Sequence, residues 1–337
     1  MSYILVVLLI LVCIAICLSV VLSVSPNRRS KLREIIDDLK DLQSTAPKDM
    51  QYAITENIVF FKSIRTFYGL CYWAFTRRSK IDARQLLEVA DLPLPRWEKE
   101  LYSDLSHVER KEFPGLSKPL KKLLIDHIIQ EKGTVLLDLG CGSMEVERQC
   151  IVELSKNNTG NYPIFLGVDA APQALDAIRS NFADLTGLVD ILEIKSLKNF
   201  DAGRVSKSTI FFYCGDALEV AELHGHKYSL IFSSRFRHHL NDVEKNRIDS
   251  LSQRLTHYVI EYDDYRTAMS WLPPVITAWY RPILLSAAIF SQIRQPSKKE
   301  LLKQKALNKQ DTVITLFNTP GSYAKIYLSE KKMEKTK

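Results

Sequence analysis

The sequence predicts an α/β protein with a doubly wound, mostly parallel seven-stranded sheet, preceded by a transmembrane helix and a helical extension. Three observations predict this class. Short apolar runs alternate with helical segments from about residue 119 to 329, a glycine turn follows the first of these runs, and no charged residue occurs from Tyr3 to Val24. The 337 residues suffice for one large domain with an appendage, or for two small domains.

Composition favours a globular protein with a core, because 46% of the residues are hydrophobic and 25% are charged. The net charge of +7 is modest, and no aromatic-basic pattern predicts a nucleic-acid partner. The six cysteines form no CxxC pair, so neither a disulfide framework nor a zinc site is predicted. Basic residues cluster at two places, which favours an anionic membrane surface. They are Arg28, Arg29, Lys31 and Arg33 after the uncharged run, and Lys331, Lys332, Lys335 and Lys337 in a basic tail, residues 331–337.

Residues 1–26 are predicted to form a membrane anchor, because about twenty apolar residues in a helix cross a bilayer. A cleaved signal peptide is the alternative, since Ser23 and Ser25 could supply a small-residue cleavage site. The basic residues that follow the run keep their end of a single-pass helix in the cytoplasm. The sequence therefore predicts a membrane location with the catalytic domain facing the cytoplasm.

Residues 27–118 are predicted to be a helical juxtamembrane extension. A first amphipathic helix covers residues 30–46, and an aromatic-rich helix covers residues 52–76. The second helix either lies on the membrane interface or packs as a core-facing helix, and both interpretations stay open. Residues 81–118 resemble helix ends and loops. The apolar stripe of the first helix comprises Leu32, Ile35, Ile36, Leu39 and Leu42.

Residues 119–330 are predicted to form the nucleotide domain. A short helix over 119–130 leads into the first strand, and His127 on its apolar face is interpreted as a structural histidine. The last two strands flank a turn at residues 318–322 and form an antiparallel hairpin. The predicted strands cover residues 134–139, 162–169, 208–214, 228–233, 257–262, 312–317 and 323–328, with helices over 144–154, 172–182 and 241–255.

The turn after the first strand has the character of a nucleotide site. Gly140 and Gly142 let the backbone approach a ligand, and Asp169 at the end of the second strand can accept hydrogen bonds from ribose hydroxyls. A nicotinamide dinucleotide is disfavoured, because Glu145 stands where the third glycine of G-x-G-x-x-G belongs. Asp138 precedes the glycines and suits a ligand that carries an ammonium group instead of a phosphate.

Four stretches in order resemble motifs of class I S-adenosylmethionine-dependent methyltransferases. They are 135–142, 167–175, 214–218 and 228–240, and the hairpin matches the last two strands of that family. The resemblance covers about residues 119–329 and implies a Rossmann-like methyltransferase fold with S-adenosylmethionine as cofactor. It places Asp138 at the methionine part, Asp169 at the ribose and Asp216 at the adenine. The implied cofactor-binding residues are Asp138, Gly140, Cys141, Gly142, Asp169, Ala170, Asp216, Ala217 and Ser233.

Two histidines after the fourth strand are the candidate catalytic residues. His238 or His239 could be a general base for a protonated acceptor, or the pair could order the loop or touch the cofactor. Arg235 and Arg237 either bind an anionic group or are solvated. The acidic residues Glu261, Asp263 and Asp264 at the end of the fifth strand are interpreted as an exposed loop, and no metal is predicted.

Residues 271–293 are apolar but interrupted by prolines and Arg281, so a second membrane span is not predicted. They form either a core helix on the sheet or an apolar lid that admits a lipophilic acceptor. The leading hypothesis is a membrane-anchored methyltransferase that acts on a small, lipophilic acceptor. The alternative from another class is a non-catalytic membrane-tethered scaffold that retains the fold.

Overall fold

The computed structural model describes residues 26–66, 69, 94–112, 115, 117–131, 135–157, 162–198, 200–203, 205–223, 228–256, 258–266, 281–307, 312–317 and 322–328. All of the predicted anchor except Pro26 lies outside these residues, as does the basic tail, residues 331–337. None of the described helices combines the length and apolar character needed to cross a bilayer.

The order of helices and strands follows the predicted alternation. The described helices are α1 (Pro26–Thr45), α2 (Lys48–Ser63), α3 (Pro95–His107), α4 (Lys118–Gln130), α5 (Glu145–Lys156), α6 (Gln173–Asn181), α7 (Asp242–Leu255), α8 (Pro282–Arg294) and α9 (Lys298–Leu307). The strands are β1 (Val135–Leu139), β2 (Ile164–Asp169), β3 (Val189–Ile194), β4 (Ser208–Cys214), β5 (Leu230–Ser234), β6 (Tyr258–Asp264), β7 (Thr312–Leu316) and β8 (Ser322–Leu328).

Contacts divide the chain into two compact units. The first contains α1, α2 and α8. The predicted stripe of α1 is confirmed, because its residues at positions 32, 35, 36 and 39 are buried. In α2 the aromatic residues Phe60 and Phe61 are also fully buried, with ring centroids 5.4 Å apart. The described part of the aromatic-rich stretch therefore has a buried apolar face, and α8 packs against α2 in the same unit.

The second unit is built on an eight-stranded sheet in the order β3-β4-β2-β1-β5-β6-β8-β7. Neighbouring strands from β3 to β6 run parallel, whereas β8 pairs antiparallel with both β6 and β7. The predicted closing hairpin is therefore confirmed. The prediction of seven strands was wrong by one, because β3 adds a parallel edge strand within the segment 185–207 that reads as a loop in the sequence. Asp190 and Glu193 interrupt the apolar residues of β3, and three of its six residues are exposed at the sheet edge.

Alternate residues of the central strands point to opposite faces, and each face carries its own apolar core. Leu136 packs on one side with residues of α4, α5 and α6, while Leu137 packs on the other with residues of α7. This is the doubly wound arrangement that the alternation predicts. His127 is buried in α4 and stacks on Tyr258 at 5.2 Å, which confirms its structural role.

The interpretation of residues 81–118 as helix ends and loops missed the full-length helix α3 over Pro95–His107. Pro95 occupies the first turn of α3, where a missing backbone donor costs nothing. Trp97 and Leu101 lie on the same face of this helix and are buried. The helix continues into a π-helical turn over Val108–Glu112. Prolines and charges dominate this stretch, so its narrow apolar face is hard to detect in the sequence.

Candidate functional site

The predicted site residues come together at the carboxyl ends of the parallel strands. Asp138 is the penultimate residue of β1, Asp169 is the last residue of β2, and Asp216 follows β4. The chain order of the strands reverses between β1 and β5, which is where open α/β sheets form a ligand crevice. Ser233 is buried near the end of β5, and the exposed Ala170 follows β2.

The glycine turn is held in a conformation that favours glycine. Gly140 has a φ of 69° and Gly142 a φ of 51°. The backbone amides of Gly140 and Cys141 both donate to the carbonyl of Val168, at 2.8 and 3.2 Å. The amide of Gly142 donates to Asp169 Oδ2 at 2.8 Å. These amides are engaged within the protein, so the turn is braced against β2 and is not an amide cradle for phosphate.

The side chain of Cys141 packs inside the glycine turn. Its side chain is buried and lies where a Cβ at Gly167 would come within 2.8 Å of its Sγ. Burial, reinforced by Asp169 and Asp138, raises the pKa of the Cys141 thiol well above its usual range. A thiol with a raised pKa is a poor nucleophile. Cys141 therefore contributes to the site by shaping the turn.

Asp169 is the best-anchored carboxylate of the site. Besides Gly142, its Oδ1 accepts from the amide of Ala171 at 2.9 Å and from the hydroxyl of Tyr102 at 3.3 Å. Burial raises the pKa of Asp169, and these hydrogen bonds oppose that rise. The side chain is consequently held in one orientation at the end of β2.

Helix α3 supplies contacts that the sequence did not predict. Tyr102 reaches Asp169, Ser106 Oγ lies 2.6 Å from Ser143 Oγ, and Arg110, just beyond the helix, pairs with Glu145 at 3.0 Å. The three residues are four positions apart and therefore share one face of a helix. That spacing is the only signal that could have indicated that this segment covers the glycine turn.

Asp138 lies beside a second buried carboxyl, Glu147, in the first turn of α5. Each residue is 2% exposed, and the two side chains influence each other's ionisation. Burial, then Glu147 and then Asp169, raises the pKa of Asp138 well above its usual value. Burial also raises the pKa of Glu147. No sequence pattern predicted a role for Glu147.

The loop after β4 is organised by Asp216. Its side chain caps the short helical turn Ala217–Glu222 by accepting from the amide of Leu218 at 2.8 Å. Glu219 closes the reciprocal half of this capping box. Asp216 is exposed and Ala217 is buried, so the cap fixes the loop where the resemblance places the adenine. That adenine contact remains a prediction.

His238 is held by a buried polar cluster. Its Nδ1 lies 3.0 Å from Asp263 Oδ2, and Gln295 Nε2 lies 2.5 Å from Asp263 Oδ1. Gln295 Nε2 donates to the carboxylate and also lies 2.9 Å from Nδ1 of His238. In the tautomer in which Nδ1–H donates to Asp263 Oδ2, a neutral His238 carries its lone pair on Nε2. Burial opposes ionisation of Asp263, but the contacts with His238 and Gln295 hold the pKa of Asp263 below its usual value.

His239 occupies the neighbouring position on the short turn Arg237–His239. Its ring centroid lies 4.3 Å from that of His238. His239 also acts electrostatically on Asp169, where it favours the carboxylate. The pair thus connects the buried Asp263 on one side with the carboxylate that ends β2 on the other. The roles predicted for the two histidines, as a general base or as residues that order the loop or contact the cofactor, stay predictions.

The interpretation of the two arginines as solvated residues was wrong, because both are paired with carboxylates. Arg235 donates from Nε to Asp264 at 3.0 Å and from Nη1 to Glu109 at 2.6 Å. It adopts a left-handed backbone with a φ of 54°. Its carboxylate partners outweigh burial and raise the pKa of the guanidinium. Arg235 is therefore a structural clamp between β5, β6 and the turn after α3.

Arg237 is a second clamp. It makes a fork to Asp249 in α7, at 2.6 and 3.1 Å, and its Nε lies 3.2 Å from Glu261. Glu261 also accepts from the hydroxyl of Tyr323 at 3.1 Å. This network fixes the turn that carries both histidines.

The expectation of an exposed acidic loop at residues 261–264 was wrong. Glu261, Asp263 and Asp264 all lie within β6, and the first two are 8% and 2% exposed. Each pairs with a basic side chain that follows β5, because β6 is the parallel neighbour of β5. Within the described part of the chain no cluster of side chains could hold a metal ion.

Comparison with known proteins gives similarity at the level of fold. No protein-family model and no curated protein matches the sequence. Among solved structures, the small RNA methyltransferase HEN1 is 14% identical with a TM-score of 0.43, over 64% of this chain and 26% of that chain. The plantazolicin methyltransferase BamL, in complex with a triazolic desmethylPZN analog and SAH, is 13% identical with a TM-score of 0.43, over 69% and 96% of the two chains. BpumL in complex with SAH is 11% identical with a TM-score of 0.39, over 70% and 98%.

The names of these three solved structures describe methyltransferases, the family whose motifs four stretches of the sequence resemble. The mostly parallel sheet with a closing antiparallel strand agrees with that resemblance. The chain spans about a quarter of the matched HEN1 chain.

Proposed function

We propose that this protein is an S-adenosylmethionine-dependent methyltransferase. The observation that carries the proposal is the meeting of Asp138, the glycine turn and the anchored Asp169 at the strand-order reversal of the sheet. Asp138 with the adjoining glycine turn and Asp169 at the end of the next strand converge where α/β sheets bind ligands. The SAH bound in the solved structures of BamL and BpumL supports this choice of cofactor.

The residues present fit the proposed cofactor. Asp169 offers a fixed carboxylate for ribose hydroxyls. Asp138 has a buried oxygen, Oδ1, without a hydrogen-bond partner among the described residues, which suits an ammonium donor. When bound, S-adenosylmethionine supplies an electrophilic methyl group on a sulfonium. The protein holds the acceptor in line with that group and excludes water.

We infer that the histidine pair handles the acceptor's proton. Asp263 fixes the tautomer and orientation of His238, as a carboxylate does for a histidine base. The ring of His239 lies against that of His238 at a tilt of 36°, and His239 acts electrostatically on Asp169. Either ring could accept a proton from a hydroxyl or an amine that attacks the methyl group. The two clamps through Arg235 and Arg237 keep this turn in place.

We further propose that the acceptor is small and lipophilic and that the enzyme is anchored in a membrane with its catalytic domain in the cytoplasm. The support is in the sequence: the uncharged run Tyr3–Val24, the basic residues after it, and the apolar stretch 271–293. Extraction of membranes with alkaline carbonate tests the anchor. Release of the full chain into the soluble fraction would contradict it.

Saturable binding of radiolabelled S-adenosylmethionine to the full chain in detergent tests the cofactor. We expect Asp169→Ala to abolish it, because the ribose partner and the brace of the glycine turn are both lost. Asp201→Ala is the matched control, since the exposed Asp201 also accepts from a backbone amide, that of Gly203, at 3.0 Å. Equal binding by both variants would contradict the proposed site. A screen of lipid, soluble, peptide and RNA extracts with the labelled donor then identifies the acceptor.

A further inference from the structure

We propose that Asp138 and Glu147 share one proton in the free protein and release it when the ammonium group of the methyl donor binds beside them. The inference rests on the proposed function, because that ammonium belongs to the methionine part of the cofactor. Glu147 is a second carboxyl at this site, and it acts as a positioning residue through Asp138.

The placement of the two side chains supports a shared site. Asp138 lies near the end of β1 and Glu147 in the first turn of α5, so they flank the glycine turn. Both are 2% exposed, and they are close enough for each to influence the ionisation of the other. Asp138 Oδ1 and Glu147 Oε1 are buried and have no hydrogen-bond partner within the described residues. Buried acceptor oxygens without a partner favour the binding of a hydrogen-bond donor.

The charge of the pair follows from its burial. Two neighbouring carboxyls that are buried away from water cannot both be ionised, so the pair retains one proton and the two groups titrate together. The other ionisable groups acting on the pair are Asp169 on Asp138, and Glu109 and Glu145 on Glu147. Arg110 pairs with Glu145 at 3.0 Å, and Cys141 beside the pair is a thiol. The surroundings are acidic, which retains the shared proton.

An ammonium group changes this balance. It brings three N–H donors and a positive charge to the unfilled oxygens. The O–H bond of the pair then breaks, the proton passes to the buffer, and the two carboxylates are balanced in part by the bound cation. A ligand without the ammonium group leaves the shared proton on the pair.

Titration calorimetry of the full chain counts this proton. S-adenosylhomocysteine is the probe, in two buffers with different heats of ionisation, between about pH 5.5 and 7. Its amino group stays protonated there, because such groups have a pKa of about 7.7–8. We expect a release that approaches one proton per ligand and an affinity that rises with pH, by up to about tenfold per pH unit. 5′-Methylthioadenosine, which lacks the amino acid part, should release none.

Two variants separate the pair from other titrating groups. Glu147→Gln keeps the size of the side chain and lets an amide donate to an ionised Asp138, so release should vanish and the pH dependence should flatten. Glu153→Gln changes a carboxylate on the same helix, which pairs with Lys121 at 2.6 Å and is 43% exposed. This control should keep the proton release of the unchanged protein.

The outcomes distinguish the two proposals. Equal proton release by the unchanged protein and Glu147→Gln, with intact binding, would overturn the shared proton and leave the proposed function standing. Absence of saturable binding of either nucleoside to the unchanged protein would overturn the proposed function itself. If Glu147→Gln does not fold, the comparison of the two ligands on the unchanged protein decides, since equal release by both refutes the role of the ammonium.

Discussion

Replacing Gly140 with alanine adds one methyl group at the most crowded point of the glycine turn. An ideal Cβ at this position would lie 2.3 Å from Cδ2, 2.5 Å from Cγ and 2.8 Å from Cβ of Phe236. Rotation of the ring does not move the Cβ of Phe236, so the backbone of the loop after β5 has to shift. That loop carries His238 and His239, and the substitution therefore links the cofactor turn to the candidate catalytic turn.

The magnitude has two parts. Alanine at a φ of 69° is in the left-handed region, which costs about 1–2 kcal/mol, partly offset by about 0.4–1 kcal/mol from the more restricted unfolded chain. Overpacking against Phe236 adds about 1–3 kcal/mol. Gly203→Ala is the matched control, because Gly203 has a φ of 59° and a Cβ there meets nothing within 4 Å. The difference between the two variants isolates the overpacking.

Thermal unfolding of both variants is the assay. For a unit of this size, about 1–3 kcal/mol lowers the melting temperature by about 2–12 °C, so Gly140→Ala should melt that far below Gly203→Ala. Shortening Phe236 to alanine in the Gly140→Ala background should recover part of the difference. A melting temperature of Gly140→Ala equal to that of Gly203→Ala would refute the reasoning.

Three further predictions follow from the buried ion pairs and thiols. Asp263→Asn should lower stability near neutral pH, and the gap should close below about pH 4: the pKa of Asp263 is depressed in the fold, so its stabilisation is present above the ordinary value and is lost as the pH falls. Melting curves across this range check it, and a gap independent of pH would contradict it. Arg237→Lys should cost about 1.5–3 kcal/mol in urea unfolding through the lost fork to Asp249, whereas Arg179→Lys, whose ion pair spans 4.0 Å at the surface, should stay within about 0.5 kcal/mol. Peptide mapping after brief thiol alkylation should find the exposed Cys214 labelled well before the buried Cys141 and Cys150, and early labelling of Cys141 would show that the turn opens.

Much of the fold could be predicted from local patterns. The strands before the glycine turn and in the closing hairpin are short apolar runs, and burial on both faces of a parallel sheet requires such runs. The edge strand β3 was not predicted, because Asp190 and Glu193 interrupt its apolar residues, and an edge strand tolerates such exposed charges. The helix over Pro95–His107 was missed for a similar reason, since it buries only a narrow face.

The sequence by itself determined the order of strands and helices, the glycine turn and the acidic residues at the strand ends, because each depends on neighbours within a few residues. Only the tertiary structure decided which charges are buried and paired. Gln295 contacts Asp263 across 32 residues of the chain and His238 across 57, and Arg235 contacts Glu109 across 126 residues. Such contacts depend on which strands become neighbours in the sheet. Local spacing does not indicate which strands pair. A charged residue therefore looks the same in the sequence whether its side chain is solvated or buried in an ion pair.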